Sequence, residues 1–315
     1  MADFILYSYQ CHPEHTEIDP QKSLLTDFEV QENKRADENM ARHQELFQAF
    51  FSGEDEPNRK QGDQVYFEHN GGYYAAKIMM NQGGVIMLRL QKERTREYER
   101  DFKILKQKEQ PSSMIIIDNR FEQQRVLIEH KKDVFVPSTI AHMMETTIGN
   151  WLLRNYRVGM EMRLVYKKDQ FWSVVDEFRN CIKKLVFNFP YPNMARPMDK
   201  LGASLKKFGV DLKGKVRLTT TAQPRDFLVI APREENADLD EIVSYLFEVG
   251  SPVDIYLVNG KRVKCFSKEN PTIVNVNDKI ANYRGEEESS LFAHQFFDAV
   301  CEQLNFLKTI NYGWA

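Results

Sequence analysis

The chain lacks the short motifs that mark common enzyme frameworks. There is no GxSxG elbow, Walker A loop, GxGxxG fingerprint or HExxH helix, so the usual nucleophile, nucleotide and zinc-hydrolase chemistries find no support. The glycine pairs Gly71-Gly72 and Gly83-Gly84 sit between strand-like runs, not ahead of helices, and read as turns. Cysteine is scarce: Cys11, Cys181, Cys265 and Cys301 form no CxxC pair. Neither a disulfide framework nor a four-cysteine zinc site is suggested, and a cytoplasmic location is expected. Cys11, His12 and His15 offer three soft ligands in one stretch, fewer than a closed tetrahedral site needs, so no metal site is assigned. His43, His69, His130, His142 and His294 stand isolated and read as structural. Nowhere do eighteen apolar residues follow one another, so no transmembrane helix is expected. Residues 1–7 lack a basic n-region and read as a first strand, not a signal peptide. Any membrane role then requires a partner.

What is present is charge, and it is segregated. The 315 residues sum to a formal charge of -3, yet the stretch 150–225 carries sixteen Lys and Arg against six Asp and Glu. A slightly acidic protein that concentrates cations in one stretch builds a directional field, and phosphate polyanions are the commonest large partner for it. The cations fall into groups. Lys167 and Lys168 follow a strand; Arg179, Lys183 and Lys184 are expected on one helix; Lys206, Lys207, Lys213, Lys215 and Arg217 span a third helix and the glycine-containing loop after it. A solvated face is the competing reading, but such a face normally mixes signs. Lys167, Lys168, Arg179, Lys183, Lys206, Lys207, Lys213, Lys215 and Arg217 are therefore the expected nucleic-acid contacts.

Hydrophobic periodicity gives an α+β organisation: antiparallel meanders and mixed sheet, helices packed on one face, and a C-terminal amphipathic helix. A polar stretch from His12 to about Lys34 precedes a helix bearing Met40, Leu46, Phe47, Phe50 and Phe51. Asn70-Gly71 and Gly83-Gly84 divide residues 64–90 into a three-stranded meander. Residues 89–108 form either a charged helix or a long solvated edge strand. Strands then follow at 114–117 and 125–129, a helix capped by Ser138 runs to about Arg154, and a strand spans 158–164. Helices are expected at 169–184, 198–208 and 239–249, strands at 185–189 and 227–230, and a hairpin across Asn259-Gly260. The closing helix covers about 289–310. This suggests a β-rich N-terminal domain with one helix over 1–110, a basic α+β domain over 111–230, and a C-terminal hairpin and helix over 231–315 suited to dimerisation.

A catalytic alternative rests on Asp118 at a strand end and the Glu129-x-Lys131 pair on the next strand. Restriction-type nucleases use such an acid and ExK set, two carboxylates holding Mg²⁺ while the lysine orients water, which requires all three to converge at one end of a hairpin. Charged residues are also simply common at hairpin ends. Apart from this Mg²⁺ under the alternative, no cofactor is expected.

The order of elements, namely the meander, the strand opening Met114-Ile115-Ile116-Ile117, the returning strand 125–129, a helix, the strand 158–166 and the segment Leu201-Gly202-Ala203-Ser204-Leu205-Lys206-Lys207-Phe208-Gly209, resembles RexA-like phage-exclusion proteins. It is also similar to the KwaB subunits of Kiwa anti-phage systems. The resemblance spans about 64–230 and is one of pattern, without a diagnostic motif. It implies an antiviral-defence role for a cytoplasmic homodimer that binds double-stranded DNA with little sequence preference and works with a membrane-embedded partner. It carries over no catalytic residue, and the N-terminal polar stretch and the 253–266 hairpin depart from it. A scaffold whose cations meet its own acidic remainder is the third possibility.

Overall fold

The computed structural model describes residues 1–15, 27–52, 60–61, 63–100, 103–120, 123–131, 133–166, 169–189, 216–248, 251–265, 271–285 and 290–312. The architecture is α+β and largely antiparallel. In chain order the elements are β1 (Ala2–Pro13), α1 (Asp27–Ala41), α2 (His43–Ser52), β2 (Lys60–Gln61), β3 (Gln64–His69), β4 (Gly72–Gln82) and β5 (Val85–Gln91). Next come β6 (Arg94–Arg100), β7 (Lys103–Glu109), β8 (Ser112–Asp118), β9 (Arg125–Glu129), α3 (Pro137–Tyr156), β10 (Val158–Leu164), α4 (Asp169–Glu177), β11 (Ile182–Phe189) and β12 (Val216–Thr221). A 3-10 turn at Arg233–Glu235 leads to α5 (Ala237–Glu248), β13 (Val253–Leu257), β14 (Arg262–Lys264), β15 (Ile273–Val276), α6 (Asp278–Ala281) and α7 (Ser290–Tyr312).

Two compact units emerge, and the chain passes back and forth between them. One comprises Met1–Ile5, Cys11–Met162 and Ile273–Cys301; the other comprises Leu6–Gln10, Arg163–Thr272 and Glu302–Ala315. These do not follow boundaries at 110 and 230, because β8 hydrogen-bonds to β5 across the first of them.

The first unit is organised by a nine-stranded sheet, ordered β10-β1-β9-β8-β5-β4-β3-β2, with β15 added alongside β1. The meander forms as the turn residues dictate: Asn70 and Gly71 have φ of 49° and 75°, and Gly83 and Gly84 have 56° and 78°, the positive values a two-residue hairpin turn needs. Alternation then assigns faces. Leu90 lies opposite Ala76, which lies opposite Val65, and the Phe67 ring, on the same side as Val65, stacks on Phe50 of α2 at 6.3 Å. Phe50 in turn meets Trp151 of α3 edge-on at 5.6 Å. Arg89 therefore lies on the opposite face, where its guanidinium reaches the carbonyls of Ala281 and Tyr283. Helices thus cover one side of the sheet, and the segment through α6 crosses the other.

Several local expectations change. Residues 94–100 and 103–109 are not helix but pair with each other as an antiparallel ribbon of β6 with β7. Ser138 is not the cap of α3: Val136 is, with Pro137 at the first turn, where a missing N–H costs nothing and φ is preset. A helix begins already at Asp27 within the expected polar stretch. The helix expected over 169–184 stops at Glu177, since Cys181 N–H turns back to Phe178 O and the apolar, β-branched run after it is captured between two strands. Residues 227–230 are not strand, whereas 216–221 are. The helix expected at 198–208 lies outside the described residues.

Candidate nucleic-acid interface

The second unit contains a four-stranded sheet ordered β12-β11-β13-β14. Its inner face is apolar: Ile182, Leu185, Phe187 and Phe189 of β11 and Val253, Ile255 and Leu257 of β13 pack with Phe171, Trp172, Val243, Leu246 and Phe247 from α4 and α5. Burying one Phe or Leu contributes about 1.5–3 kcal/mol, so this packing fixes which residues remain outside.

Register arranges that outer face in rows. The first runs Thr221, Lys184, Tyr256, Arg262 across all four strands. Lys184 Nζ lies 4.4 Å above the Tyr256 ring centroid, and the Arg262 guanidinium 5.9 Å from the same ring. Next comes Thr219, Val186 and Asp254, of which Val186 and Asp254 are buried. The third pairs Arg217 with Asn188, the Arg217 Nε donating to Asn188 Oδ1 at 2.9 Å.

The three cations differ in available charge. Arg262 donates twice to Asp254 Oδ1, at 3.0 and 2.6 Å, which holds its guanidinium more firmly protonated and shares its charge. Lys184 and Arg217 face an aromatic ring and a neutral amide, with no carboxylate against either among the described residues. Among the described residues, then, this face presents Lys184 and Arg217 with no acid against them, Arg262 shared with Asp254, and Thr219 and Thr221 beside them.

The expected cations are not gathered as the sequence suggested. Arg179 lies in the turn after α4, not on a helix, and is paired with Asp176 at 2.7 Å. Lys183 lies on β11 and donates to the carbonyls of Gln223 and Asp226, holding the loop after β12. Arg217 sits four residues along β11 from Lys184 by register, about 13 Å at strand rise. Lys167, Lys168, Lys206, Lys207, Lys213 and Lys215 lie outside the described residues. Tyr256 and Arg262 fall beyond the basic stretch, and Asp254 cancels Arg262 in any count of charge, so the sequence does not single them out.

Asp118, Glu129 and Lys131 do not converge. Asp118 pairs with Arg125 at one end of β8, while Ile128 pairs with Ile115, placing Glu129 at the other end. The three side chains also have structural partners. Asp118, 1% exposed, accepts from Arg120 Nε and Nη2, each at 2.8 Å. Glu129 Oε2 accepts the Met114 N–H at 2.8 Å, and Lys131 Nζ donates to Ser112 O at 3.1 Å. Cys11, His12 and His15 also part company: Cys11 is buried, its thiol pushed up to about 12 by desolvation, His12 contacts Glu14 and His15 contacts Asp37. Among the described residues no group of three or more His, Cys, Asp and Glu is placed to hold a metal ion, and no helix is long and apolar enough to cross a membrane. Comparison of the chain with protein-family models, with curated proteins and with solved structures returns no match.

Proposed function

We propose that the chain binds double-stranded DNA through its backbone phosphates, with little sequence preference, using the outer face of the β11–β14 sheet. The observation that carries this reading is the register that sets Lys184, Tyr256 and Arg262 in one row, with Arg217 on the same face and no acid against Lys184 or Arg217 among the described residues. The biological setting follows the resemblance to phage-exclusion proteins: a cytoplasmic homodimer that serves antiviral defence and acts with a membrane-embedded partner.

The test is fluorescence anisotropy on duplexes of unrelated sequence across a salt series. Removing one cation that neutralises a phosphate lowers the slope of log affinity against log salt by about 0.9. Lys184→Gln with Arg217→Gln is expected to flatten that slope by about 2 on every duplex, with unchanged circular dichroism. A double variant with the parental slope and affinity removes this face from the reading.

A further inference from the structure

Residues 227–230, Phe-Leu-Val-Ile, have the composition of a strand and lie along the start of β11 without completing a ladder. Burial alternates along them as it does along a strand. Leu228 and Ile230 pack into the core shared by β11 and β13, whereas Phe227 and Val229 are exposed, Val229 to 88%. The two exposed side chains therefore lie on the outer side of the sheet, that of Lys184 and Tyr256. One backbone bond ties the segment to the sheet: Leu228 N–H donates to Ile182 O at 2.7 Å.

Successive amides of an extended run point to opposite edges, so with Leu228 turned toward β11 the amides of Phe227 and Val229 turn away from it. Phe227 N–H meets the exposed Asp226 Oδ1 at 2.8 Å, and among the described residues nothing meets the N–H or C=O of Val229. The segment is held in place from behind. β11 bulges between Ile182 and Lys184, and Lys183 Nζ donates to Gln223 O and, at 3.1 Å, to Asp226 O, anchoring the loop that leads into it. Pro232, which has no N–H, ends it. An anchored apolar edge with unanswered backbone groups is a template for another strand.

We infer that this edge pairs antiparallel with the same edge of a second copy of the chain, about a two-fold axis at Leu228. The segment is its own complement. That register sets Phe227 of one copy opposite Val229 of the other, twice, the aromatic with β-branched pairing that stabilises sheets, and it uses the backbone groups that turn outward. Arg225 then falls opposite Ala231 and Asp226 opposite Ile230, so no like charges are opposed. A two-fold axis perpendicular to the sheet keeps both outer faces on one side. Lys184, Arg217 and Arg262 of the two copies thereby share one surface; that use of the pairing, though not the pairing itself, rests on the reading of this chain as a duplex-binding protein.

The experiment combines sedimentation of the full chain over a range of concentrations with disulfide trapping. Opposed residues of a hydrogen-bonded antiparallel pair have Cα atoms about 5.5 Å apart, within reach of a disulfide. With Cys181→Ser and Cys301→Ser as background, Phe227→Cys protein mixed with Val229→Cys protein is expected to cross-link on mild oxidation far more than either variant alone. Wild-type chain is expected to sediment as a dimer. Phe227→Lys with Val229→Lys, which opposes lysine to lysine twice, should be a monomer with unchanged circular dichroism. Val258→Lys, at an exposed site whose N–H bonds to Cys181 O on the β13 side of β11, should remain a dimer. A wild-type chain that is monomeric at every concentration, a double-lysine variant that still dimerises, or cross-linking equal in the mixture and the single variants overturns the pairing and leaves the phosphate-binding reading intact. Cross-linking in the predicted register by a chain that binds no duplex at low salt upholds the pairing and removes that reading alone.

Discussion

Arg89→Met is the most instructive perturbation of the first unit. Arg89 is 4% exposed, and burial, then Arg284, pull its guanidinium down to about 10, opposed in part by Glu129. It is charged at neutral pH all the same, so the fold holds a nearly buried cation. Its partners are carbonyls: Nε donates to Tyr283 O at 2.9 Å and Nη2 donates to Ala281 O, while Nη1 reaches Ser112 Oγ only at 3.4 Å. Methionine fills most of the volume, so the cavity contribution is small and the contest lies between two others. Each hydrogen bond removed from a charged donor costs roughly 1.5–3 kcal/mol, and the abandoned carbonyls stay desolvated. Relief of the buried charge's desolvation works the other way. Two good hydrogen bonds outweigh it, and a net loss of about 2–4 kcal/mol is expected. Urea unfolding followed by circular dichroism measures it, and faster amide exchange over 278–285 localises it. Arg89→Lys should fall between, because an ammonium cannot span both carbonyls. A methionine variant more stable than the lysine variant would show that desolvation dominates and refute the reasoning.

Two further predictions concern titrating groups. His43 is held below its ordinary value by burial, with its Nδ1 bonded to Met40 O and its Nε2 against the Gln124 amide at 2.8 Å; because the unfolded chain takes up the proton first, its contribution is complete above about pH 6.5 and is lost as pH falls toward the lower folded value. Unfolding free energies measured across that window should decline more steeply with acid for the parent than for His43→Gln, and parallel curves would refute this. Burial pushes the thiols of Cys11 and Cys265 up to about 12, whereas Cys181 is exposed. Native protein at about pH 8 should therefore release a fast thiol signal at Cys181, with Cys11 and Cys265 reacting only on unfolding, and equal rates would contradict the burial described.

Much of the fold was legible because local chemistry and final packing agree. Asn70-Gly71, Gly83-Gly84 and Gly260 supply positive φ where hairpins turn, and Phe47, Phe50 and Phe51 mark the buried side of α2. The misread segments are those where distant pairing decides. Residues 178–184 carry a helical charge pattern, but hydrogen bonding to β12 and β13 on both sides draws Ile182–Phe189 into a sheet. Summed charge found the basic stretch and could not say what each cation meets: Asp176 takes Arg179, backbone carbonyls take Lys183, and among the described residues Lys184 faces a ring and Arg217 an amide. The acid and ExK pattern failed for a geometric reason: Asp118 pairs with Arg125 beside the hairpin loop, whereas Glu129 lies four residues further along β9, at the end away from the loop.

The shuttling of the chain between its two units has a consequence during synthesis. Ala2 pairs with Val276 and the Met1 amine meets Asp278 at 2.9 Å, so β1 waits for β15, made much later, before this pairing can form. Until then the guanidinium of Arg89 has no carbonyls to answer it. A nascent chain of this topology should lean on chaperones until both strands are made, because contacts this remote in sequence are slow to form.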